Sequence, residues 1–104
     1  MLTAPSTTLP PGDLTDARRR TVRHELEEAD EHLGLSLTED RSPASRERLD
    51  FAQAAVRDAL HWVDEGGDAA AILVALEDLN VQEISDRAAR HLVLARVMLR
   101  HSLG

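Results

Sequence analysis

Cysteine is absent from the 104 residues. That excludes disulfides, thiolate zinc sites, iron–sulfur clusters and cysteine nucleophiles. A secreted domain of this size usually needs such staples, so their absence points to a cytoplasmic protein. Aromatic residues are nearly absent too: Phe51 and Trp62 stand alone, with no tyrosine. Sandwiches and barrels lean on aromatic and β-branched residues, whereas closely packed helices manage with Ala, Leu and Val. Lysine is missing, so all 12 basic side chains are arginine, which reads as compositional bias.

Long apolar runs are also lacking. The longest, His91 to Leu99, is broken by Arg96 and falls short of the ~20 residues a bilayer span needs. The opening MLTAPSTTLPPGD has neither the basic start nor the apolar core of a secretory signal. A net charge of −7 makes anionic membrane and nucleic-acid phosphate poor partners.

What is present is a balance of 42% hydrophobic and 30% charged residues, which suits a folded chain with one core. Residues 1–12, rich in Thr, Ser and Pro, read as a disordered tail. Residues 13–104 read as a single all-α domain, a small antiparallel bundle of three long helices and one short one.

Periodicity and caps set the expected boundaries. The first helix is predicted over Leu14 to Leu33, capped by Asp13 and stopped by Gly34, with Val22, Leu26, Ala29 and Leu33 as its apolar stripe. Residues 35–41 then read as a polar loop. Ser42 and Pro43 open the second helix, which runs to about Glu65 and ends at Gly66-Gly67. It carries two stripes, Leu49, Ala52, Val56, Leu60, Val63 and Phe51, Ala55, Ala59, Trp62, so it is expected at the centre with Trp62 in the core. Asp68 caps a short helix from Ala69 to Leu79 with Ile72, Leu73, Leu76 and Leu79 inward. Asn80 and Glu83 form a capping box, with Leu79 and Ile84 as its staple, for a last helix reaching about Leu103. Val81, Ile84, Ala88, Leu92, Ala95 and Leu99 are its main stripe.

Chemistry-bearing patterns are few. Glu27-Glu28-x-x-Glu31 followed by Glu47-x-x-Asp50 resembles the EExxE…ExxD signature of the MazG-like all-α nucleotide pyrophosphohydrolases. Gly66-Gly67-Asp68 before a Leu-rich short helix is loosely similar to relatives that cleave phosphoribosyl-ATP. The resemblance spans residues 25–79 and implies Mg²⁺ held by hard carboxylates against a nucleoside triphosphate. At about 100° per residue, Glu27, Glu28 and Glu31 fall opposite Val22, Leu26, Ala29 and Leu33, on the solvated side.

His24, Glu28 and His32 share one helix face, and Asp58-x-x-His61 has carboxylate–histidine spacing. No second Glu-x-x-His unit completes a di-iron set, so the histidines read as exposed polar residues. His91 and His101 read as complements to the dipole of the last helix. Gln82-Glu83-Ile84-Ser85 resembles the positioning helix of bacterial regulators, with Arg87, Arg90, Arg96 and Arg100 downstream. No turn residue interrupts 84–100, so one continuous helix is expected and DNA contact is the second alternative. No nucleophile elbow or phosphate loop exists, and no catalytic, cofactor or metal residue is assigned.

The surfaces are more telling. Beyond its main stripe the last helix carries Val93, Leu94, Val97 and Met98, more than a bundle of this size buries on one side. The first helix puts Arg18, Arg19, Arg20 and Arg23 before Glu25 to Glu31, against its own dipole, which suggests pairing with a second copy. The leading expectation is a non-enzymatic interaction or regulatory module, a homo-oligomer or the subunit of an assembly, with helix 4 as contact. A MazG-like phosphohydrolase is the alternative.

Overall fold

The computed structural model describes residues 13–39 and 42–103, with only the backbone of Glu83; the tail expected over 1–12 lies outside them. Among the described residues the chain forms α1 (Asp16–Leu37), α2 (Pro43–Asp64), α3 (Ala69–Leu76), a 3₁₀ turn (Val81–Glu83) and α4 (Asp86–Leu103), with no strand. The all-α bundle expected from the pattern is what forms.

α1 is capped by Thr15, whose Oγ1 accepts from Arg18 N at 3.1 Å, rather than by Asp13. It also runs through Gly34, the expected stop, to Leu37. Packing of Leu37 on the core outweighs the ~1 kcal/mol propensity cost of a mid-helix glycine. The expected polar loop is therefore shorter, and its residues 40 and 41 lie outside the described chain.

α2 starts as expected, with the Ser42 hydroxyl accepting from Ser45 N and Pro43 in the first turn. It ends in a Schellman motif. Gly67 N donates to Trp62 O at 2.7 Å and Gly66 N to Val63 O at 3.3 Å, with Gly66 at φ +82°. Asp68 then caps α3 through Ala71 N.

The capping box at Asn80 does not start α4. Asn80 Oδ1 accepts from Gln82 N and opens the 3₁₀ turn, Ile84 is extended, and Ser85 Oγ accepts from Ala88 N to begin α4 at Asp86. The Glu83 side chain lies outside the described atoms. Two caps five residues apart compete here, and the break lets Val81 and Ile84 both turn onto the core. α3 likewise stops at Leu76, short of Leu79. Arg96 takes over its end, donating to Leu76 O at 2.5 Å and Leu79 O at 2.7 Å.

The four helices form a ring in which α1 and α3 each pack on both α2 and α4. Neighbours run antiparallel. Arg19 of α1 meets Val63 of α2 and Asp30 meets Arg57, while Arg18 meets Ser102 of α4 and Glu25 meets His91. The buried residues make one cluster, and it contains the whole expected α1 stripe with Leu49, Ala52, Val56, Val63, Ile72, Leu76, Ala88, Leu92, Ala95 and Leu99.

Antiparallel packing explains the charge order of α1 without a second copy. Its basic end lies beside the C-termini of α2 and α4, where carbonyls are unpaired and the dipole is negative. Arg19 donates to Val63 O at 3.1 Å and to Gly67 O at 3.0 Å, and Arg23 pairs with Asp64 at 2.7 Å. The sequence opposes the dipole of its own helix and complements those of two neighbours.

The second stripe of α2 is core only at its alanines, with Ala59 buried and Ala55 packed against the cluster. Phe51 is 55% exposed and Trp62 is exposed as well, because α3 is too short and too rich in alanine to cover that flank. α2 meets two neighbours, yet Trp62 is not the buried packing residue expected of it.

Candidate functional site

α4 divides cleanly by helical spacing. Ala88, Leu92, Ala95 and Leu99 face the core, His91 and Ser102 face α1, and Arg96 faces α3. The outward strip is left with Val93, Leu94 and Val97, all exposed, the last 45% so. Met98, grouped with them from sequence, instead packs partly against the core.

Next to that strip, α3 and α4 enclose a cleft of about 380 Å³, lined by Leu73, Val74, Leu79, Leu103, Arg96 and Arg100 among others. On the far side of α3 a second groove of about 540 Å³ runs against α2, with Phe51, Ala55, Trp62 and Val74 as its apolar lining. Val74 borders both and is 67% exposed, the crest between the two depressions. Apolar side chains thus line the two depressions from Phe51 and Trp62 on α2, over Val74, to Leu103 on α4, and the Val93–Val97 strip lies on α4 beyond Arg96 and Arg100.

The two borders of this face differ in sign. The α4 side carries Arg96 and Arg100, with Glu77 at the end of α3 beside them. The α2 side carries Asp58 and Asp78. Arg96 is held inward by its two carbonyl partners, and desolvation lowers its pKa from the ordinary value, with Arg100 adding to the effect. Arg100 is exposed and lines the same cleft as Leu73 and Val74.

The structure separates the residues of the acidic motif. Glu27 and Glu31 are exposed, Glu28 turns toward α4, and Glu47 lines a depression toward α3 with Asp78 and Asn80. Among the described residues no group of three close donors combines α1 carboxylates with Glu47 or Asp50. Of the arginines offered to DNA, Arg96 is committed to capping α3.

The histidines fare differently from expectation. His24, His61 and His101 are exposed, but His32 and His91 are half-buried. His91 stands near the start of α4, not in its last turns, and its Nδ1 lies 2.6 Å from Glu25 Oε2. Its ring stacks on His32 at 5.6 Å, and Glu28 completes a set whose donor atoms lie within 4.8 Å of one another. Sequence reasoning found the α1 half of this set through the i, i+4 spacing of Glu28 and His32. The α4 half needed the knowledge that α1 and α4 are neighbours.

No family model, no curated protein and no solved structure matches the chain. Among the described residues no helix is long and apolar enough to cross a membrane.

Proposed function

We propose that the chain is a non-enzymatic interaction module that self-associates through the face built by α3 and the adjoining flanks of α2 and α4. One observation carries the reading: an exposed apolar surface centred on Val74 with arginine along one border and aspartate along the other. Contiguous apolar surface of this kind marks contact sites on small soluble domains. The opposite charges name the occupant. A two-fold axis running along α3 lays the α4 flank of each copy over the α2 flank of its partner. Arg100 then faces Asp58, each lining one of the two depressions that Val74 borders, and the pair occurs twice.

In this arrangement Val93 and Val97 supply apolar area on one side and Phe51 and Trp62 on the other. Aromatic anchors surrounded by small residues are the usual centres of such contacts. Arg96 contributes indirectly, by fixing the end of α3 against α4 so that Val74 is presented on a rigid crest.

Sedimentation of the purified chain tests the reading. Twice 11.5 kDa is expected at micromolar concentration. The double variant Val93→Glu, Val97→Glu is expected to sediment as a folded monomer with unchanged helical circular dichroism. A wild-type monomer at every concentration, or a double variant that keeps the wild-type mass, overturns it.

A further inference from the structure

We propose that Glu28, His32 and His91 form a binding site for a divalent transition-metal ion, with zinc as the best-suited probe, on the seam between α1 and α4. The site lies on the opposite flank of α4 from Val93 and Val97, so it stands or falls independently of self-association.

Three features converge on it. Two imidazoles and a carboxylate come from two helices with donor atoms within 4.8 Å of one another. Zinc ligands at about 2.0–2.1 Å from the ion stand roughly 3.3–3.5 Å apart in a tetrahedron, so the set must contract by about 1–1.5 Å. All three side chains are half-buried, and with His91 held by Glu25 the contraction falls to His32 and Glu28.

The second feature is Glu25. A carboxylate only accepts, so the 2.6 Å contact means that His91 Nδ1 carries the proton and donates it. That fixes the tautomer and leaves Nε2 as the nitrogen with a free lone pair. A carboxylate holding the far nitrogen of a ligating histidine is the usual outer support of a metal site, and it raises the basicity of the ligand. Glu25 is half-buried, with a side chain only 15% exposed, in the seam between α1 and α4.

The third is the nearness of the two rings. The His32 and His91 rings lie parallel within 10° at 5.6 Å. In parallel planes their lone pairs do not meet at one point, so an ion held by both requires the His32 ring to turn out of the stack, with Glu25 and Glu28 flanking the pair. Nitrogen donors select Zn²⁺ over Mg²⁺ or Ca²⁺, which take oxygen ligands. His24 adds to the surroundings, with Nε2 3.8 Å from Glu28 Oε1. Three protein ligands leave a fourth position for water or for a group brought by a bound molecule. An ion here would tie α1 to α4 and stabilise the folded chain by linkage.

The test is calorimetric titration of the full chain with Zn²⁺, joined to thermal melting and to the visible absorption of Co²⁺ as a four-coordinate probe. One ion per chain is expected. At a hundredfold excess over Kd the melting temperature should rise by about 10 °C. His32→Ala and His91→Ala should each abolish the rise, and Glu25→Gln should weaken binding about 10–100-fold while leaving the stoichiometry at one. His61→Ala and His101→Ala should bind as wild type, and Mg²⁺ should do nothing. Should His91→Ala fold poorly, Glu28→Gln, a nearly isosteric change at a half-buried position, provides the same reading. No zinc binding, or binding that survives His32→Ala or Glu28→Gln, overturns the site.

Discussion

Glu25 of α1 and His91 of α4, 66 positions apart in the chain, are joined by a 2.6 Å contact between carboxylate and Nδ1. It sits midway along the α1–α4 seam, between Arg18 and Ser102 at one end and the His32–His91 stack just beyond. The seam is thereby polar at its edge and apolar within, where Val22, Leu26, Leu92 and Leu99 are buried. That division places the metal-binding set on one flank of α4 and the exposed apolar strip on the other.

The two arginines that reach from α1 to the end of α2 should differ in weight. Arg19 is half-buried and satisfies Val63 O and Gly67 O. Arg23 and Asp64 pair with both side chains nearly half in water. Replacing Arg19 by Met should cost about 1.5–3 kcal/mol in urea unfolding, the range for hydrogen bonds to a charged group. Arg23→Met should cost about 0–1 kcal/mol and less still in high salt.

α4 should show a sharp contrast between its faces. Leu92→Ala empties a fully buried position and should lower stability by about 2–5 kcal/mol. Val97→Ala, measured at concentrations low enough for the monomer, should change it by under ~0.5 kcal/mol. Its effect should appear in the concentration dependence of melting instead. Equal costs at both positions would mean that the outward strip is core.

The turn after α2 allows a finer comparison. Gly66 has φ +82° with open space where a Cβ would go, so Gly66→Ala should cost about 1–2 kcal/mol of left-handed strain. A Cβ on Gly67 would stand 2.9 Å from Trp62 O and 3.3 Å from Trp62 Cβ. Backbone cannot yield as a side-chain tip can, so Gly67→Ala should cost more than Gly66→Ala. It should also perturb Trp62 fluorescence, which Gly66→Ala should leave unchanged.

Much of the fold was legible because 3.6-residue periodicity reports directly on which face is buried. Every member of the Val22–Leu33 stripe and of the Ala88–Leu99 stripe is buried. Caps were legible where one residue could serve, as at Ser42 and Asp68, and misled where Asn80 and Ser85 competed. Trp62 and Phe51 were misread because an apolar side chain does not reveal whether its neighbour is long enough to cover it. The reversed charge order of α1 held the missing information. Basic residues at a helix N-terminus suit adjacent C-termini, which is the signature of antiparallel neighbours within one chain. The meeting of His91 with Glu25, Glu28 and His32 depends on that adjacency, and spacing along α4 alone does not carry it.

Self-association through the α3 face is tested most directly by a charge-exchange cycle in sedimentation equilibrium: wild type, Arg100→Glu, Asp58→Arg and the double variant. Each single reversal sets like charges opposite one another twice per dimer. Either should weaken dimerisation by about tenfold, from surface pairs contributing about 0–1 kcal/mol apiece. The double variant restores opposite charges in exchanged places and should recover most of the wild-type affinity. Single reversals without effect, or a double variant weaker than both singles, would contradict the pairing of the α4 flank with the α2 flank.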